Sequence, residues 1–337
     1  MTILTIVRAA STSSTRSRWQ WAGVSLAVLL SVSWWTYSHR ERSIDGKSLS
    51  EWFEDFNNWT ALTGLDTSRC YQVFIELDGD AIPFLVDWAQ TKQTSLDRAY
   101  ENIFRRLPAF CNQRLPQPRS DSWHWNHRNS ALQLIGYIGG QQRWNAEAGE
   151  LGHKPGIQIA LPAIHAAMQV DATRVSAAQA AWFIGPQAAS LVPDLIKMAS
   201  DPNDRAGLAA LQSFGVIGLA ASNAVPLLIQ IATNEGSSRQ IHAVQSLGGI
   251  GAPAFPSVPV IASLLDTTNP AVNLVAARAL AELGVTPESA VPSLMAMRLG
   301  TNVWAARVAS LALWNRDRGD EELRMEIVST LHSDQRS

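Results

Sequence analysis

Residues 184–194 read IGPQAASLVPD, and 33 positions further on residues 217–227 read IGLAASNAVPL. The pattern returns twice more, as IGAPAFPSVPV at 250–260 and LGVTPESAVPS at 283–293. In each copy an aliphatic residue precedes a glycine (Gly185, Gly218, Gly251, Gly284), and a proline follows eight residues later (Pro193, Pro226, Pro259, Pro292). Self-similarity at a fixed period of this size marks a repeat architecture, in which each unit buries its apolar face only against its neighbours.

The residue types assign local structure. Proline fits the first turn of a helix, where its missing N–H would be unpaired anyway, so LVPDLIKMA, AVPLLIQIA, SVPVIASLL and AVPSLMAM start the first helix of each unit. The eighth residue before each glycine is alanine (Ala177, Ala210, Ala243, Ala276), a small side chain that lets neighbouring helices approach. Four and one positions before the glycine stand Ala181, Phe214, Leu247, Leu280 and Ile184, Ile217, Ile250, Leu283, on the alanine face of a helix. Second helices are therefore predicted at 174–184, 206–217, 238–250 and 271–283, each capped by its glycine.

The register extends outward. HRNSALQLIGYIGG places Ala131 and Gly139 in the two columns, and SRCYQVFIELDGDAIPFLVDWAQ reads as a second and a first helix before it. Downstream, Asn302 to Trp314 keeps Ala309 in register, and Arg316 and Asp317 then replace the apolar residue and the glycine, a polar break suited to a terminal cap. This pattern resembles the HEAT-repeat superfamily, including the short HEAT-like units of bilin lyases, over about residues 68–330. The signature T-P-L-H-x-A of ankyrin and the Trp and Tyr positions of tetratricopeptide repeats are missing. The resemblance implies an all-α, right-handed α-solenoid of stacked helical hairpins that works as a protein-interaction scaffold and not as an enzyme. A pigment-handling role by analogy with bilin lyases, or a purely structural spacer, are the alternatives.

Six residues before the glycine comes a polar column, Gln133, Gln179, Gln212 and Gln245, becoming Arg278 in the last full unit. It lies about 160° from the alanine face. On a concave surface it forms a row of contacts for a protein or extended peptide; as a solvated face or inter-repeat ladder it is structural only. The spacing fails at 107–127 and 140–157, which read as inserted loops holding Trp123, Trp125 and Trp144. These are either binding anchors or a cover for the end of the core. His124 and His127 with Asp121 lack the third ordered ligand a tetrahedral metal site needs, and His153, His165 and His242 form no group, so no metal or cofactor is expected. No phosphate loop, nucleophile elbow or paired-carboxylate motif occurs.

Before the array, residues 1–18 are a basic leader. From Trp19 to Tyr37 run nineteen uncharged residues, WQWAGVSLAVLLSVSWWTY, between Arg8, Arg16 and Arg18 on one side and Arg40 and Arg42 on the other. That length spans a bilayer, and the tryptophans at both ends match interfacial belts. A retained anchor at 19–37 is expected, with a linker at 38–48, the solenoid at 49–330 outside the cytoplasm, and a polar tail at 331–337. Cleavage after Ser33 would release the solenoid as an exported protein. A net charge of −2 gives no broad positive field for nucleic acid. Cys70 and Cys111 either pair in an oxidising compartment or remain two buried thiols.

Overall fold

The computed structural model describes residues 43–58, 67–107, 115–148, 156–203, 205–234, 236 and 238–316. The expected anchor at 19–37 with its leader, Cys111, His153 and the tail at 331–337 lie outside these residues. The chain divides into two compact units, one ending at Cys70 and the other beginning at Tyr71.

In the first unit, residues 43–48, expected as linker, form a small antiparallel ribbon of β1 (Ser43–Ile44) and β2 (Lys47–Ser48), so the chain is not purely helical. The reason is the Asp45-Gly46 pair, both at positive φ, which makes the two-residue turn that right-twisted strands favour. The ribbon is tied to α1 (Leu49–Asn58). Trp52 donates its indole N–H to the Ile44 carbonyl at 2.9 Å, and Lys47 pairs with Asp55 at 2.7 Å. Ser48 and Glu51 exchange backbone and side-chain hydrogen bonds as a capping box at the helix start. Helix α2 (Thr67–Leu77) carries the boundary between the units and holds Cys70, which is buried.

The second unit is an array of helical hairpins. Its elements are α3 (Ile82–Ala89), α4 (Ser95–Arg106), α5 (Asp121–Glu147), α6 (Ile157–Met168), α7 (Arg174–Ile184), α8 (Val192–Ser200), α9 (Gly207–Ile217) and α10 (Val225–Ala232). They continue as α11 (Ser238–Ile250), α12 (Val258–Ser263), α13 (Pro270–Leu283), α14 (Val291–Arg298) and α15 (Val303–Arg316). The expected second helices are α7, α9, α11 and α13, within a residue of their predicted ends, and each repeat proline sits in the first turn of α8, α10, α12 or α14. Helices α5, α7, α9, α11, α13 and α15 pack each against the next in one layer, and the first helices cover its other side.

The alanine column is fully buried, at Ala131, Ala177, Ala210, Ala243, Ala276 and Ala309. A matching column on the first helices, Leu195, Leu228, Ile261 and Leu294, is also fully buried. Between second helices the contact is at backbone distance. A Cβ on Gly136, Gly215 or Gly248 would stand 3.0 Å from the Cα of Ala180, Ser246 or Ala279 respectively. Ser213 donates across the same interface to the Ala178 carbonyl at 3.1 Å, and Ser246 to that of Leu211 at 2.5 Å. These bonds satisfy hydroxyls that would otherwise be buried and unpaired.

Two expectations need correction. Gly139 does not cap a helix: α5 runs on to Glu147, because Gly139 serves close packing, its missing Cβ lying 2.7 Å from Ile184, and because buried Gln142 is anchored by a hydrogen bond to Asp78. The stretches 107–127 and 140–157 are not simply loops. Ser120 caps α5 by accepting from Trp123 N–H, so residues 121–127 and 140–147 are helical.

Among the described residues one helical run has the length and apolarity to cross a membrane, Gly207–Ala232. It comprises α9, a 3₁₀ segment and α10, broken at Gly218, whose φ is +73°. Its apolar residues Leu211, Phe214 and Leu228 are fully buried in the array.

The cap glycines differ in backbone: Gly251 has φ +80° and ψ −143°, a region open essentially to glycine alone, whereas Gly284 has φ +68° and ψ +20°, which asparagine tolerates. No atom stands within 4 Å of a Cβ added at either, so sterics are equal. Gly251→Asn is expected to lower the unfolding free energy by about 1–3 kcal/mol and Gly284→Asn by well under half of that. Denaturant titration compares them, and equal losses would contradict this account of the caps.

Candidate functional site

Because one repeat position recurs at the same angle on every second helix, the polar column is carried to a single face. Gln133 is half-buried, and Gln179, Gln212, Gln245 and Arg278 are exposed. All five line two depressions of about 430 and 400 Å³. The first lies over α5, α7 and α9, the second over α9, α11 and α13, and both are bordered by Trp182 and Gln212. Together they form a trough along the second-helix layer. Its surface is low because small residues, Ala180, Ala209, Gly215, Gly249 and Ala279, stand between the glutamines.

Along the trough the chemistry is amide and aromatic, with charge at one end. Tyr137 and Phe183 meet edge to face with ring centres 4.8 Å apart, and Phe183 meets Trp182 at 4.7 Å. Gln212 reaches His242 Nδ1 only at 3.5 Å, and the same nitrogen lies 3.3 Å from Gln245 Oε1. Among the described residues the Gln133 and Gln179 amides have no hydrogen-bond partner, so the column is not a continuous inter-repeat ladder. Arg278 pairs with Glu282 at 2.7 Å.

The predicted tryptophans are not brought to this trough. All three lie on α5. Trp144 is 68% exposed, and Trp125 is 42% exposed beside a different pocket. Trp123 is packed, its ring 3.7 Å from that of His127 and 5.9 Å from that of Trp88, with the Arg119 guanidinium 4.8 Å away. His127, buried, accepts or donates at Nδ1 with the Trp123 carbonyl at 2.7 Å. His165 pairs with Asp194 at 2.6 Å. Among the described residues no group of three or more His, Cys, Asp or Glu side chains is set to hold a metal.

Tyr137, Trp182, Phe183 and His242 were not singled out from the sequence. Trp182 carries a signal nonetheless. It stands three residues before a cap glycine, where Gly215 and Gly248 stand in the next two units, so a bulky ring replaces hydrogen at one place in the column.

Comparison with known proteins now bears on this geometry. Residues 225–314 match the family model for HEAT repeats. The repeat array is of the HEAT superfamily. No curated protein matches the chain. Among solved structures, two engineered proteins and a designed armadillo repeat protein in complex with the peptide (KR)4 resemble it. The armadillo design is 14% identical, covers 69% of this chain and 98% of its own, and superposes with a TM-score of 0.48. The engineered proteins are 20% and 19% identical, covering 57% and 82% of this chain and 90% and 71% of their own, with TM-scores of 0.43 and 0.45.

One titratable group in the HEAT array stands out. Burial holds the His124 imidazole below its ordinary value of 6.5; the nearby Asp97 carboxylate opposes this, and Arg119 and His127 add to it. The unfolded chain therefore takes up this proton more readily than the folded one. Stability is fully present above the ordinary value and declines as pH falls below it. His124→Gln should make the loss of stability between about pH 7 and about pH 5 shallower. An unchanged pH dependence of the denaturation midpoint would show that burial of this ring has no energetic effect.

Proposed function

We propose that this protein is a membrane-tethered, non-catalytic HEAT scaffold that holds an extended segment of a protein partner along the trough of α5, α7, α9, α11 and α13. The observation that carries this reading is the convergence of four glutamines and Arg278 on adjoining depressions that share Trp182 and Gln212. An amide side chain both donates and accepts, as a peptide bond does, so a row of exposed amides complements an extended backbone without demanding a particular sequence. Packed helices repeat at about 8–10 Å, which presents one such contact per unit. Trp182 and Phe183 supply a hydrophobic anchor beside the row, the type of group that carries much of the energy of an interface.

The tether is residues 19–37, whose uncharged length and flanking arginines support a retained span with the array outside the cytoplasm. Removal of that segment after Ser33 would leave the same scaffold as an exported soluble protein. Gln133, Gln179, Gln212, Gln245 and Arg278 are the contact residues of this reading, and Trp123, Trp125 and Trp144 lie outside its trough.

Partner capture by a crosslinker at position 216 of the membrane-inserted chain tests it. Replacing Gln179, Gln212 and Gln245 together by Ala should reduce recovery of the captured partner at least tenfold with little change in thermal midpoint, since all three side chains are exposed. Trp182→Ala should reduce it similarly. Undiminished recovery in both variants would exclude the trough as the binding surface.

A further inference from the structure

The segment after α3, helix α4 and the first turns of α5 border another depression, about 310 Å³, that shares no lining residue with the trough. Three of its side chains are cationic, Lys92, Arg98 and Arg128, against one carboxylate, Asp121. It lies at the N-terminal end of the longest helix, where backbone N–H groups and the helix dipole favour negative charge. A helix end alone does not identify a site. The deciding feature is His124, which lines the pocket, is only 6% exposed, and has no hydrogen-bond partner at either ring nitrogen. Asp97 stands 3.7 Å from Nε2, beyond hydrogen-bond reach, and its carboxylate is already held by the Thr94 backbone N–H at 2.8 Å and hydroxyl at 2.7 Å. An imidazole carries at least one N–H in either charge state, and a buried donor without a partner is costly. A pocket that combines such a donor with three cations is built for an anion.

We propose that this pocket binds a phosphate group, with His124 as its buried donor and Lys92 and Arg98 as its cationic clamp. Arg128 adds charge, its Nε being already given to the Ala89 carbonyl at 3.1 Å. Trp125, exposed at the same pocket, offers a stacking face to a ring attached to that phosphate. The charged and titratable groups around His124 are Asp97 on α4, Arg119 before α5, and Asp121 and His127 on α5. A bound phosphate opposes the two carboxylates and favours the protonated ring, so binding tightens as pH falls toward the ordinary histidine range.

The test is nuclear magnetic resonance of the full chain carrying ¹³C at histidine Cε1, with the His124 signal assigned by its loss in His124→Gln. Inorganic phosphate and phenyl phosphate are titrated against sodium chloride and acetate at matched ionic strength. A saturable shift of the His124 signal with either phosphate is expected, and Arg98→Gln, at an exposed position, should weaken it about tenfold. Tighter binding of phenyl phosphate assigns a ring-bearing ester, and equal binding assigns free phosphate. A His124 response no larger with phosphate than with chloride overturns the proposal. So does an equal response to acetate, or an Arg98→Gln chain that binds phosphate as well as the parent.

Discussion

The array depends on the approach of consecutive second helices to backbone contact. Where α5 meets α7, α9 meets α11 and α11 meets α13, one partner contributes a glycine (Gly136, Gly215, Gly248) and the other an alanine or serine (Ala180, Ser246, Ala279). Each missing Cβ would fall 3.0 Å from the opposing Cα, closer than side chains ordinarily permit. Dispersion energy falls steeply with separation, so this contact gains only if no atom intervenes. The geometry also sets the trough, because the same small residues leave a low surface between the glutamines of adjacent units.

Much of this was legible in the sequence, for a physical reason. In a repeat array one solved position is solved in every unit, so Ala177, Ala210, Ala243 and Ala276 identify one buried column and the second helices follow from it within a residue. The same habit misled at Gly139. A glycine in the cap column was taken to end a helix, but a glycine inside a helix also serves close packing, and only the neighbouring Ile184 distinguishes the two. Residues 121–127 and 140–147 were read as loops because they break the period. A break in period shows that a unit differs from its neighbours, and local capping by Ser120 settles that it differs by a longer helix.

The candidate site was half visible. The glutamine column emerges from periodicity alone, whereas Trp182 and Phe183 do not, because a search for sameness passes over the unit that departs from it. The tryptophans at 123, 125 and 144 drew notice as aromatics in supposed loops, yet one is packed and none lines the trough. The pocket containing His124 was beyond reach of sequence reading. It joins residues from α4, α5 and the segment after α3, and no spacing rule connects Lys92 and Arg98 with position 124.

Two glycines separate packing from propensity most directly. A Cβ on Gly249 would lie 2.5 Å from the Gly215 carbonyl oxygen and 2.8 Å from its Cα, whereas one on Gly140 would meet nothing nearer than the Phe183 ring at 3.4 Å. Both lie in helices, where alanine is intrinsically favoured over glycine by about 1 kcal/mol. Denaturant unfolding of Gly249→Ala and Gly140→Ala, compared with the parent, decides whether backbone contact holds the array together. The account predicts a loss of about 1–3 kcal/mol for Gly249→Ala and no loss, or a small gain, for Gly140→Ala. A gain of equal size in both variants would contradict it.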